Sequence, residues 1–229
     1  MSIFAIADIH LSRAPGSDKP MDIFGPRWID HENRIARNWR ELVGEGDTVI
    51  IPGDISWGMK LEDAMYDLDW LSQLPGKKIL IKGNHDLWWT GINRLKGLYG
   101  ENIQFLQYDS ITVEGVSICG SRGWTTPDDD DFNEADEKVY KRELLRLESS
   151  LKAAETDEII GFMHYPPVSK PSSFSGFMQL FEDYSVKKVY YGHIHGEEGF
   201  RNTIQGNYHG IEYKLISADY LNCKPVKIK

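Results

Sequence analysis

The sequence predicts a single α/β domain, with a largely parallel sheet in its first half and a mixed or second sheet beyond. Three observations carry this. Short apolar runs rich in β-branched residues recur, each ending in a polar motif. Helical periodicities separate several of them, which implies parallel strands joined by crossovers. The C-terminal stretch carries strand signals without helix signals.

The apolar runs come in order. Ile3–Ala7 precedes Asp8-Ile9-His10, and Thr48–Ile51 precedes Gly53-Asp54. Lys78–Lys82 precedes Gly83-Asn84-His85-Asp86, Glu158–Met163 precedes His164, and Lys187–Tyr191 precedes Gly192-His193-Ile194-His195. All are too short for helices and have the composition of buried strands. Between them, Asp30 is placed to cap a helix carrying Ile35, Trp39 and Leu42. Leu61, Met65, Leu68 and Leu71 repeat at helical spacing until Pro75-Gly76 stops the run. Val139, Leu144, Leu147 and Leu151 mark a third helix, and 174–184 a weaker fourth. Ile111–Cys119 reads as a hairpin around Glu114-Gly115, and 207–229 as strand-rich.

The 229 residues fit one large domain, and 41% hydrophobic with 27% charged residues is an ordinary globular balance. No apolar run approaches a bilayer span. The N-terminal run lacks a basic flank and breaks at Asp8, so it is a poor signal peptide. The two cysteines, Cys119 and Cys223, form neither a zinc-type pair nor a disulfide framework. A cytoplasmic protein without membrane partners is expected. The net charge is −9, and Asp128–Asp131, Glu134, Asp136 and Glu137 account for most of it. This run reads as a solvated helix start, where carboxylates favour the positive dipole end. No footprint for long nucleic acid is visible.

The chemistry gathers at the ends of the runs. In an open α/β sheet, ligands bind beyond the carboxyl ends of the strands. Parallel strands would bring Asp8, His10, Asp54, Asn84, His85, Asp86, His164, His193 and His195 to one rim. Carboxylate, imidazole and amide oxygen without thiolate suit borderline divalent metals such as Mn²⁺, Zn²⁺ or Fe. Asp8, His10, Asp54, Asn84, His164, His193 and His195 are too many ligands for one tetrahedral ion. Two ions sharing a carboxylate would use them, clamping the attacking and leaving oxygens of an in-line phosphoryl displacement. Two divalent ions against Asp8, Asp54 and a bridging hydroxide leave the cluster net positive, which favours an anionic substrate.

Together the five motifs resemble the signature of the calcineurin-like metallophosphoesterases, over residues 8 to 195. The resemblance implies an α/β/β/α sandwich of two mixed sheets with helices outside. It implies one metal on Asp8, His10, Asp54 and His195, and a second on Asp54, Asn84, His164 and His193, with Asp54 bridging. Asn84 would also meet the substrate phosphate. His85 would serve the leaving oxygen, and Asp86 would hold the His85 ring in register. The chain departs from the protein serine/threonine phosphatases of this superfamily. It reads Gly53-Asp54-Ile55-Ser56-Trp57-Gly58 where they carry Gly-Asp-x-Val-Asp-Arg-Gly, so their phosphate-binding arginine is missing. Arg122, in Gly120-Ser-Arg-Gly-Trp124, is the candidate replacement for substrate binding.

The expected function is a metal-dependent phosphoesterase acting on a phosphomonoester or phosphodiester of a small molecule or nucleotide. A nuclease is the enzymatic alternative and needs a basic groove. A scaffold that kept the fold and lost catalysis, like the retromer scaffold subunit of the superfamily, is the non-catalytic one. Trp57, Trp88 and Trp89 read as packing residues rather than base-stacking ones. His31 and His209 read as ordinary helix and strand residues. The loop from Ser12 to Arg27 is a candidate wall of the substrate pocket.

Overall fold

The apolar runs become strands that end at the polar motifs. In the structure, a computed structural model describing residues 1–17 and 19–229, five strands form one sheet. They are β1 (Ile3–Ala5), β2 (Thr48–Pro52), β3 (Lys77–Ile81), β4 (Ile103–Phe105) and β11 (Val226–Lys227). Their order is β11-β1-β2-β3-β4, parallel except for β11. Six more form the second sheet: β5 (Ser110–Val113), β6 (Val116–Ser121), β7 (Ile159–Met163), β8 (Lys188–Tyr191), β9 (Gly206–Tyr208) and β10 (Ile211–Leu215). Their order is β5-β6-β7-β8-β10-β9, with antiparallel pairing only at the edges.

Alternation along each strand builds the layers, because successive side chains leave opposite faces. Ile3, Ala5, Ile50, Ile79 and Ile81 face Val116, Ile118, Ile160, Phe162 and Tyr190 in a core between the two sheets. The other face of the first sheet (Phe4, Val49, Ile51, Leu80) packs on α1 (His31–Leu42) and α2 (Leu61–Ser72) through Ile35, Trp39, Leu68 and Leu71. The other face of the second sheet (Cys119, Val189, Tyr191, Tyr213) packs on α4 (Glu134–Lys152) and α5 (Gly176–Asp183) through Leu147, Leu151, Phe177 and Phe181. Three apolar layers between four structural ones make the α/β/β/α sandwich.

Local chemistry explains the boundaries, and some differ from expectation. Asn133 caps α4, accepting from the backbone N–H groups of Ala135 and Asp136, so the acidic run feeds a helix start. Asp30 precedes α1 with φ +53°, and its carbonyl accepts the Arg34 N–H at 3.0 Å, but its side chain takes the Asn33 amide rather than a helix backbone N–H, so it does not act as a side-chain cap. Glu114 and Gly115 hold φ +49° and +75°, the conformation a two-residue hairpin requires. His209 and Gly210 do the same between β9 and β10, which makes His209 a turn residue rather than a strand residue. The strand-rich tail divides, with β10 beside β8 in one sheet and β11 beside β1 in the other. Two short helices, α3 (Ile92–Leu95) and α6 (Gly196–Asn202), had no apolar periodicity to announce them. Among the described residues, no helix is long and apolar enough to cross a membrane.

Candidate metal centre

The motifs leave the carboxyl ends of β1, β2, β3, β7 and β8 and meet over the gap between the sheets. Their loops are tied to each other before any side chain is considered. Asp8 N–H donates to Gly53 O at 3.0 Å, His10 N–H to Asp54 O at 3.0 Å, and Gly192 N–H to His164 O at 3.0 Å. Asp8, His10, Asp54 and His193 all hold positive φ, between 43° and 69°. Such backbone is unfavourable for side-chain-bearing residues and persists where surrounding structure fixes it, most often at functional sites. Glycines let the motifs close up. A Cβ on Gly53 would strike the His164 ring and lie 2.8 Å from Gly83 Cα, and one on Gly192 would strike Asp8.

The donors fall into two groups. Asp8, His10 and His195 form one and Asp54, His164 and His193 the other, with the donor atoms of each within 4.8 Å of one another. Asp54 Oδ2 lies 3.7 Å from His10 Nε2 and 3.4 Å from His164 Nε2, so one oxygen faces both groups. Asp8 Oδ1 lies 3.8 Å from His195 Nε2. These gaps are long for hydrogen bonds. They match the edges of a coordination shell, about 3.4 Å for tetrahedral ligands near 2.1 Å from a cation. Asn84 Oδ1 stands 2.7 Å from His164 Nε2, directed at the same space. Among the described residues, buried His10 Nδ1 has no hydrogen-bond partner. Donor types and spacing therefore fit two divalent cations.

Electrostatics agree. Burial pushes Asp8 up to about 8, with a further push from the Asp54 charge, and burial pushes Asp54 up to about 6. Burial pulls His164 down to about 3 and holds His10 and His193 well below the usual imidazole range. Without a cation the cluster thus sheds charge of both signs. Burial also pulls on His195, but the hydrogen bond to Asp219 and the Asp8 charge outweigh it and raise this imidazole.

The supporting shell departs from expectation in three places. Among the described residues, no hydrogen bond joins Asp86 to the His85 ring. Its buried carboxylate accepts from Ile55 N–H (2.9 Å), Ser56 N–H (3.2 Å), Gly83 N–H (2.7 Å) and Trp88 Nε1 (3.0 Å), stitching the β2 and β3 loops together. Burial and the Asp54 charge lift this carboxyl to about 7. Arg122 pairs with Glu143 at 3.2 Å and stacks on Trp124, while its charge helps lower the His164 imidazole. Asp219 was not anticipated. It follows β10 in Ser217-Ala-Asp219, accepts from His195 Nδ1 at 2.9 Å and from Gly196 N–H at 3.2 Å, and so orients that imidazole. An aspartate just beyond an apolar strand was the available signal, the one that marked Asp8.

A cavity of about 370 Å³ opens above the cluster, lined by His10, Asp54, His85, His193 and His195 with Met21, Phe24, Trp28 and Trp57. The Ser12–Arg27 loop thus supplies part of the wall, though position 18 lies outside the described residues. Trp57 stacks on His10 at 4.9 Å and leans on His85 at 4.5 Å. Trp88 and Trp89 are buried in the core, as their packing role requires. His31, at the start of α1, directs Nε2 to His10 O at 3.3 Å and braces the first motif.

Comparison with known proteins places this arrangement. Residues 1–197 match the family described as calcineurin-like phosphoesterase. Two curated relatives, the Gene 66 proteins of Mycobacterium phages L5 and D29, are 46% identical over 57 residues and 39% over 85. These alignments cover 25% and 37% of this chain and span 27% and 40% of the relatives' lengths. The phosphopantetheinyl hydrolase of Mycobacterium tuberculosis shares the fold, with a TM-score of 0.58 at 15% identity over 99% of this chain and 95% of that one. So does a protein of unknown function from Aquifex aeolicus, with a TM-score of 0.52 at 18% identity and the same coverage. With the match running through the last histidine motif, the chain belongs to the calcineurin-like phosphoesterase family.

Proposed function

We propose that the chain is one catalytic domain that hydrolyses a phosphate ester of a small molecule or nucleotide with two divalent ions. Asp8, His10, Asp54 and His195 would hold one ion, and Asp54, Asn84, His164 and His193 the other. The observation that carries this reading is Asp54 Oδ2, which faces an imidazole of each donor group at 3.7 and 3.4 Å. Manganese, iron and zinc all suit the donor set. The ions supply Lewis acidity toward the phosphoryl oxygens and a nucleophile drawn from water at neutral pH. The chain's own residues do the rest. Asn84 sets its amide oxygen 2.7 Å from His164 Nε2, beside the second donor group. His85 lines the cavity without belonging to either donor group and is placed to deliver a proton to the leaving oxygen. Trp57 and Trp28 wall the cavity with apolar surface and hold the His10 and His195 rings, 4.9 and 5.3 Å away.

The test compares p-nitrophenyl phosphate with bis-p-nitrophenyl phosphate, metal-free and with Mn²⁺. Turnover should require metal, and the better substrate decides between monoesterase and diesterase. His85→Asn should retain bound metal while kcat falls about 10²–10⁴-fold, the usual worth of a general acid. Equal turnover with and without metal contradicts the reading.

A further inference from the structure

A second cavity, of about 780 Å³, lies on the same rim and is lined by five cations: Lys82, Arg94, Arg122, Arg142 and Arg146. This is unexpected in a chain of net charge −9. Carboxylates only partly balance it. Glu143 sits beneath Arg122 and Arg146 at 3.2 and 2.6 Å, and Glu62 meets Arg94 at 3.2 Å. Among the described residues, Lys82 and Arg142 have no carboxylate within 4.0 Å. Two lining residues also carry buried polar atoms without partners among the described residues, Arg122 Nε and Thr90 Oγ1. Buried donors left unpaired are costly, and a bound ligand is one reason they persist.

The position ties this cavity to the metal centre. Lys82 follows β3 and is two residues before Asn84. β6 runs parallel to β7 with Ser121 opposite Met163, so Arg122 and His164 leave neighbouring strand ends at one level. Tyr165 N–H donates to Arg122 O at 2.9 Å, and the Tyr165 ring packs on His193 at 4.0 Å. One strand spacing, about 5 Å, separates the strand end that carries Arg122 from the one that carries His164. That span suits two phosphates on one small molecule.

We propose that this cationic cavity is a second anion subsite, which takes a further phosphate of the substrate and fits the enzyme to doubly phosphorylated small molecules such as nucleoside bisphosphates. The inference rests on the phosphoesterase reading above. A long polyanion is disfavoured because the acidic stretch 128–137 leads into α4, which supplies Arg142 and Arg146.

The experiment uses the metal-loaded full chain with adenosine 5′-monophosphate, adenosine 3′,5′-bisphosphate and p-nitrophenyl phosphate. The parent should favour the bisphosphate in kcat/KM by about tenfold or more, the size of one charge-assisted contact, and mainly through KM. Arg142 is exposed on α4, so Arg142→Glu should fold normally and keep p-nitrophenyl phosphate turnover while losing that preference. Arg142→Lys should keep most of it. No preference in the parent, or a preference that survives both Arg142→Glu and Arg94→Glu together, overturns the proposal. A parent that prefers oligonucleotides, with steep salt dependence, also overturns it and makes the groove a nucleic-acid track. Calorimetric binding of the bisphosphate separates the two readings. Affinity lost in Arg142→Glu beside a parent that cleaves nothing sinks the phosphoesterase reading and keeps the anion site. Equal affinity in both proteins sinks the anion site.

Discussion

Replacing Asp86 with asparagine tests how the loops of the centre are held. The Asp86 carboxylate is fully buried and accepts four donors, three of them backbone N–H groups from two motif loops. An asparagine oxygen turned toward Ile55, Ser56 and Trp88 leaves its NH₂ facing the Gly83 N–H. Two buried donors then lack acceptors, at about 1–3 kcal/mol each. A loss of about 2–6 kcal/mol follows, and at about 2–4 °C per kcal/mol for a chain of this length the Tm should fall by roughly 4–24 °C. The assay is thermal unfolding of the metal-free protein by circular dichroism, since bound metal would mask the loss. Metal affinity should fall with it, because the stitched loops carry Asp54 and Asn84. If Asp86 acted instead by orienting the His85 ring, kcat would fall with the Tm intact. A Tm within about 2 °C of the parent, with kcat reduced, refutes the reasoning.

Further outcomes follow from the same geometry. Asp219→Asn should weaken metal binding about 10–100-fold by freeing the His195 ring, read by Mn²⁺ titration; unchanged affinity would remove Asp219 from the site. Gly192→Ala drives a methyl into Asp8, so the chain should fold and yet lose metal in elemental analysis; full metal content would contradict the close approach. The carboxyl groups set a pH dependence. Asp8 and Asp54 have pKa values raised from 3.8 to about 8 and about 6, so their contribution to the metal-free fold is full below pH 3.8 and is lost as pH rises through 6 to 8. His10, His164 and His193 have lowered values, so their contribution is full above 6.5 and is lost as pH falls below it. A cation requires the ionised carboxylates, so binding at pH 7 should release protons, seen as buffer-dependent calorimetric heats. Heats independent of the buffer would contradict the raised Asp8.

The fold was legible wherever period and punctuation agreed. Five apolar runs predicted strands ending at Asp8, Asp54, Asn84, His164 and His193, and a parallel sheet rule sent those ends to one rim. The regions missed were those whose physics is not local. α6 is two turns long with no apolar repeat, and the tail joins both sheets through pairings no spacing encodes. For the site, ligand types were readable from the motifs, but second contacts were not. Asp86 was assigned to its sequence neighbour, whereas burial sends its carboxylate to donors across the β2 loop. The sequence marks Arg122 as a candidate for substrate binding, and only packing against α4 reveals the cationic cavity it lines. Asp219 gave a strand-end signal that lacked a histidine beside it.

The central claim is that Asp54 joins two cation sites. Its most direct test is metal content per chain by elemental analysis, after loading with Mn²⁺ and dialysis, for the parent and Asp54→Asn. The parent should hold two ions per chain and the variant should lose both, because one oxygen faces both donor groups. A parent holding a single ion, or a variant that still holds two, would contradict it.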